Sequence, residues 1–113
     1  MSGLTTHILD TMHGRPAAGV ALRLFRAGEL IAKAVTNADG RCDSPLLTAE
    51  TLKAGAWRLE FEVGAYYRGL GVALPDPAFL DVVALEFGLA DATAHYHVPL
   101  LVSPYGYSTY RGS

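Results

Sequence analysis

The sequence predicts an all-β chain, an antiparallel sandwich of seven or eight short strands, and three observations carry that expectation. Apolar residues recur with period two in several separate runs. Clusters of Gly, Pro, Asn and Asp separate those runs at short intervals. Only one brief stretch, 65–71, reads as a helix. Strict alternation puts every second side chain on one face, which marks a strand with one side buried. Many such strands joined by turns argue for a sandwich or barrel.

Taken in order, "LTTHILD" at 4–10 reads as a strand with Ile8 toward the core and His7 on the opposite face. "HGRPAAG" at 13–19 is a turn region. Val20, Leu22 and Leu24 then alternate with Ala21 and Arg23, and "AGE" at 27–29 turns the chain again. "NADG" at 37–40 is a further turn, and "TAETLK" at 48–53 suits a single helical turn. "WRLEFEV" is the clearest strand, with Trp57, Leu59, Phe61 and Val63 on one face and Arg58, Glu60 and Glu62 on the other. "AYYRGLG" at 65–71 forms the short helix, closed by Gly71 and Pro75. Val83, Leu85, Phe87 and Leu89 make another row, as do Tyr96, Val98, Leu100 and Val102.

Length and composition bound the function. At 113 residues the chain is expected to be one domain, 1–113, because domains average roughly 150 residues. Half the residues are hydrophobic and 18% are charged, too apolar for disorder. Nine basic against eleven acidic side chains leave −2, so the basic surplus of a nucleic-acid partner is missing. No apolar run approaches the roughly 20 residues that span a bilayer, and the first ten residues do not read as a secretory signal. Cys42, the one cysteine, allows no internal disulfide. A cytoplasmic protein with no membrane partner is expected.

Four histidines are the candidates for chemistry. His95 and His97 are two apart and share the face opposite Tyr96 and Val98. They are either surface histidines or, with His7, a set turned toward a ligand. Three such imidazoles could also hold zinc, which catalytic sites bind with three protein ligands and a water. His13 reads as a plain loop residue. Arg41, after "NADG", is either a solvated charge or a fixed guanidinium fork for a carbonyl or anionic ring. Cys42 is either a small semi-buried residue or a nucleophile. In "SPYGYSTYRGS", Tyr105, Tyr107 and Tyr110 favour a strand that would fix Tyr110, Arg111 and the end at Ser113.

Several of these segments together resemble the 5-hydroxyisourate hydrolases, the transthyretin-related branch of the transthyretin family. The matching stretches are "LTTHILDTMHGRPA" at 4–17, "TNADGR" at 36–41 and "YHVPLLVSPYGYSTYRGS" at 96–113, so the resemblance covers nearly the whole chain. Transthyretin is similar over "SPYGYST" and "AYYRGLG" but does not finish in "YRGS". The resemblance implies a transthyretin-like sandwich of two four-stranded sheets with one short helix. It also implies a homotetramer with sites where dimers meet, and hydrolytic opening of 5-hydroxyisourate without a cofactor or metal. Carried over by position, His7, Arg41, His97 and Ser113 are the expected catalytic residues. Tyr110, Arg111 and Gly112, with His7 and Arg41, are the expected substrate-binding ones. The alternative is a non-catalytic transthyretin-like carrier of a small ligand; a zinc hydrolase on His7, His95 and His97 and a sandwich module binding a partner at its strand edges are the further rivals.

Overall fold

Period-two alternation becomes two stacked sheets in the computed structural model, which describes residues 2–113. The elements are β1 (Gly3–Asp10), β2 (Arg15–Pro16), β3 (Ala21–Arg26), β4 (Glu29–Val35), β5 (Gly55–Glu62), α1 (Val63–Gly69), β6 (Val82–Leu89), β7 (His95–Ser103) and β8 (Gly106–Thr109). One sheet runs β2-β1-β7-β8 and the other β4-β3-β5-β6. The inward faces meet in one core that includes Ile8, Leu22, Leu59, Phe61 and Leu100, all essentially inaccessible to solvent. At about 25 cal/mol per Å² of apolar area, that burial is the main force holding the sheets together.

The structure refines the expectation at four places. The sandwich is antiparallel except at the centre of one sheet, where β1 and β7 run parallel. Parallel neighbours need a long crossover, and here the intervening strands and helix supply it. β4 was not legible because it lies at a sheet edge: its core-side Ala32 and Ala34 are only partly buried, and Ile31 and Val35 on the other face blur the alternation. Its turn is tight: Ala27 and Gly28 both have positive φ, 51° and 79°, the signature of a hairpin turn that follows strand twist. β2 lies within the expected turn 13–19, and the helix begins two residues early, at Val63.

A buried carboxylate ties the helix to β1. Tyr66 and Tyr67 each donate a hydroxyl hydrogen bond to Asp10, at 2.8 Å. Asp10 is fully buried at the end of β1 and also accepts from His13 Nδ1 at 2.6 Å and from the backbone N–H groups of Met12 and His13. Burial alone would raise its pKa, but the bonds from His13, Tyr66 and Tyr67 outweigh that and lower it. Burial and the bond to Asp10 push the Tyr66 hydroxyl up to about 12. His13 is therefore no plain loop residue; it closes a latch between the first turn, β1 and the helix. Among the described residues no helix is long and apolar enough to cross a membrane.

Candidate active site

The outward face of the β1–β7 pair gathers most of the expected residues. Parallel register sets Thr5 opposite His97, Gly3 opposite His95 and His7 opposite Pro99. Alternation does the rest: Leu4, Thr6 and Ile8 point inward, so Thr5 and His7 point out. On β7, Tyr96 and Val98 are buried and His97 lies between them on the other face, half-buried.

Arg41 reaches this face through its loop. An isolated antiparallel bridge pairs His7 with Arg41, and Ile8 donates its N–H to the Gly40 carbonyl at 2.8 Å. Gly40 is required there: its φ is +74°, and a Cβ would come 2.5 Å from the Ile8 carbonyl oxygen. Asn37 ties the turn, with its side-chain oxygen accepting from Asp39 N–H at 2.9 Å and Arg41 N–H at 3.2 Å. The backbone of Arg41 is thus fixed while the residue itself stays exposed.

The tail arrives from the other side of the strand pair. β8 pairs antiparallel with β7, and the chain continues until Gly112 N–H donates to the His97 carbonyl at 2.7 Å. Gly112 lies against the imidazole so closely that a Cβ would sit 2.7 Å from His97 Cδ2. Arg111 holds the tail down: its guanidinium stacks 4.2 Å from the Tyr96 ring centre and donates to the His95 carbonyl at 3.2 Å. Tyr110 is exposed and lines a cleft of about 420 Å³ between β6 and β8, with Tyr96, Tyr107 and Arg111. The pinned tail thus carries Gly112 onto the histidine face, whereas Tyr110 and Arg111 sit at the sheet edge.

The electrostatics favour a neutral His97. Burial lowers its pKa first, and the neighbouring Arg41, His7 and His95 lower it further. Its Nδ1 is 2.8 Å from Thr5 Oγ1. Burial pushes the Cys42 thiol up, aided by Asp43, which works against a thiolate nucleophile. A recess of about 110 Å³ lies beside the site, lined by Thr5, Thr6, Arg41, Cys42 and Ser44. His7, His95 and His97 share a face, yet among the described residues no three His, Cys, Asp or Glu side chains are grouped to hold a metal ion. Thr5 was missed from sequence, although its place two residues before His7 on one strand face was a usable signal.

The sequence profile of the HIUase/Transthyretin family matches residues 4–112. The chain is 59% identical over 117 aligned positions to a 5-hydroxyisourate hydrolase of Ralstonia nicotianae, covering all of both chains. Among solved structures it resembles a 5-hydroxyisourate hydrolase of Klebsiella pneumoniae, with a TM-score of 0.85 and 41% identity over all of both chains. It also superposes on an (S)-allantoin synthase with a TM-score of 0.94 and 39% identity, where it covers 99% of itself and 44% of that longer chain.

Proposed function

Since the chain belongs to the HIUase/Transthyretin family, we propose that it hydrolyses 5-hydroxyisourate, the activity borne in the names of its full-length relatives. The observation that carries the reading is the meeting of His7, Arg41 and His97 on one strand face, held by the His7–Arg41 and His97–Gly112 backbone bridges. The product is 2-oxo-4-hydroxy-4-carboxy-5-ureidoimidazoline, formed when one amide bond of the six-membered ring opens. No cofactor takes part.

Opening a cyclic amide needs three things: an activated water, stabilisation of a tetrahedral oxyanion, and a proton for the departing nitrogen. His7 orients the water and takes its proton, while Arg41 holds the ring oxygens and offsets the developing negative charge. Such an oxyanion role is worth about 10²- to 10³-fold. His97 supplies the proton to nitrogen as the C–N bond breaks. Its lowered pKa keeps the ring neutral, so it can give the proton from one nitrogen only as the other nitrogen accepts a replacement. Acid–base catalysis of this kind contributes about 10²- to 10⁴-fold. The Gly112 backbone binds the heterocycle, Ser113 helps polarise the water, and Arg111 anchors the tail through Tyr96, while Tyr110 faces the edge cleft and not the histidine face.

The site face is open on this single chain, with Arg41 exposed. A second copy closes it in the homotetramer, with sites at the interface between dimers. The test is product identity. With ¹³C-labelled urate and a urate-oxidising enzyme, the wild-type protein is expected to convert the transient intermediate to the ring-opened carboxylate, and His7→Ala is expected to leave only the spontaneous rate. Rapid conversion by His7→Ala would remove His7 from the mechanism.

A further inference from the structure

Thr5 stands between two imidazoles. Its Oγ1 is 2.8 Å from His97 Nδ1 and 3.4 Å from His95 Nε2. A hydroxyl has one hydrogen to give and lone pairs with which to accept. It can therefore accept from one ring while donating to the other, and the chain of bonds can run in either direction. Among the described residues the outer nitrogens, His97 Nε2 and His95 Nδ1, have no hydrogen-bond partner. One is left for the reacting group and the other for solvent, because His95 is exposed and His97 is half-buried. The charged and titratable groups facing His97 are Arg41, His7 and His95, and Arg111 lies across β7 on Tyr96.

We propose that Thr5 bridges His95 and His97 in a proton relay between solvent and the reacting nitrogen. The inference rests on the hydrolase reading and deepens it. His97 gives its Nε2 proton to the nitrogen that keeps the electron pair of the broken C–N bond. The Thr5 hydroxyl proton moves to His97 Nδ1, the His95 Nε2 proton moves to Thr5 Oγ1, and His95 takes a proton at Nδ1 from solvent, to which His7 releases the proton it took from the attacking water. Both rings stay neutral and have exchanged tautomers. The new carboxylic acid then returns a proton to His97 Nε2. The chain runs backwards, His95 releases a proton to solvent, and the product leaves as a carboxylate. Thr5 is a positioning residue throughout, since it touches His97 and not the substrate.

Three variants of the full chain test the relay, each checked by circular dichroism and by oligomeric state. Thr5→Val removes the hydroxyl and keeps the branched shape; kcat is expected to fall about 10- to 100-fold with KM unchanged, a part of the whole acid–base contribution. Thr5→Ser restores the hydroxyl and is expected to recover most of the rate. His95→Ala is expected to lose rate and regain it as imidazole is added, a rescue that a merely structural role would not give. Wild-type kcat in Thr5→Val, or a His95→Ala rate untouched by imidazole, would overturn the relay. The ¹⁵N shifts of the His97 ring in the unliganded protein report its tautomers without turnover, and Thr5→Val is expected to move them. A His97 that responds to Thr5 in a protein that leaves 5-hydroxyisourate decay unaccelerated would refute the hydrolase reading and keep the hydrogen-bonded chain; unmoved shifts would refute the chain itself.

Discussion

Adding one methyl group at Gly112 tests the geometry of the site more sharply than removing a catalytic side chain. The ideal Cβ of an alanine there sits 2.7 Å from His97 Cδ2, and ordinary contact begins near 3.4 Å. Either the imidazole retreats by about 0.7 Å or the tail lifts from the 2.7 Å bond between Gly112 N–H and the His97 carbonyl. Both outcomes displace a group proposed to meet the substrate, and a misplacement near 1 Å can cost about 10²-fold in rate. Gly112→Ala is therefore expected to lower kcat about 10- to 100-fold. Stability should change little, because residue 112 lies outside the core. The assay pairs single-turnover decay of 5-hydroxyisourate with thermal unfolding of the same sample. An unchanged kcat would show that neither the tail nor the position of His97 matters to the chemistry.

Three further outcomes are expected from the same contacts. Deleting residues 110–113 should abolish activity while leaving the sandwich folded, since the tail adds only its pairing to β7 and the Arg111–Tyr96 stack; a truncated chain with near-normal turnover would end the role given to the tail. Asp10→Asn should destabilise the fold by about 3 kcal/mol in urea titration, because hydrogen bonds to a charged group are worth about 1.5–3 kcal/mol each and several donors converge here. Its folded pKa is lowered, so its contribution is present above the unfolded value of about 3.9 and lost as pH falls through the folded one; a wild-type protein with the acid transition of Asp10→Asn would contradict this. His97 is also lowered, so its neutral form persists into mild acid, and the acidic limb of kcat/KM should lie below about pH 6.5; a limb above that value would mean a different group controls the rate.

The strands that bury a face were legible in the sequence, since alternation in "WRLEFEV" or around Tyr96 and Val98 is the physical cause of their burial. β4 was not, because apolar side chains stand on both of its faces and its core-side Ala32 and Ala34 are only partly buried, which blurs the alternation. The same limit applied to the site. His7 and His97 could be placed on outward faces by counting, but no spacing reveals that β1 and β7 lie side by side in parallel, ninety-odd residues apart. That pairing is what puts Thr5 on His97. Arg41 could be offered from sequence as a solvated charge or a fixed guanidinium fork, but its place beside His7 needed the Gly40 turn and the bridge between them. Asp10 was passed over because a carboxylate at a strand end looks solvated until Tyr66 and Tyr67 are seen to cover it.

The most direct test is the decay of 5-hydroxyisourate made in situ from urate, followed by absorbance with and without the protein. A catalytic acceleration is expected that survives chelator and disappears in Arg41→Ala. A folded, tetrameric wild-type protein that leaves the spontaneous rate unchanged would contradict it and favour a carrier of small ligands.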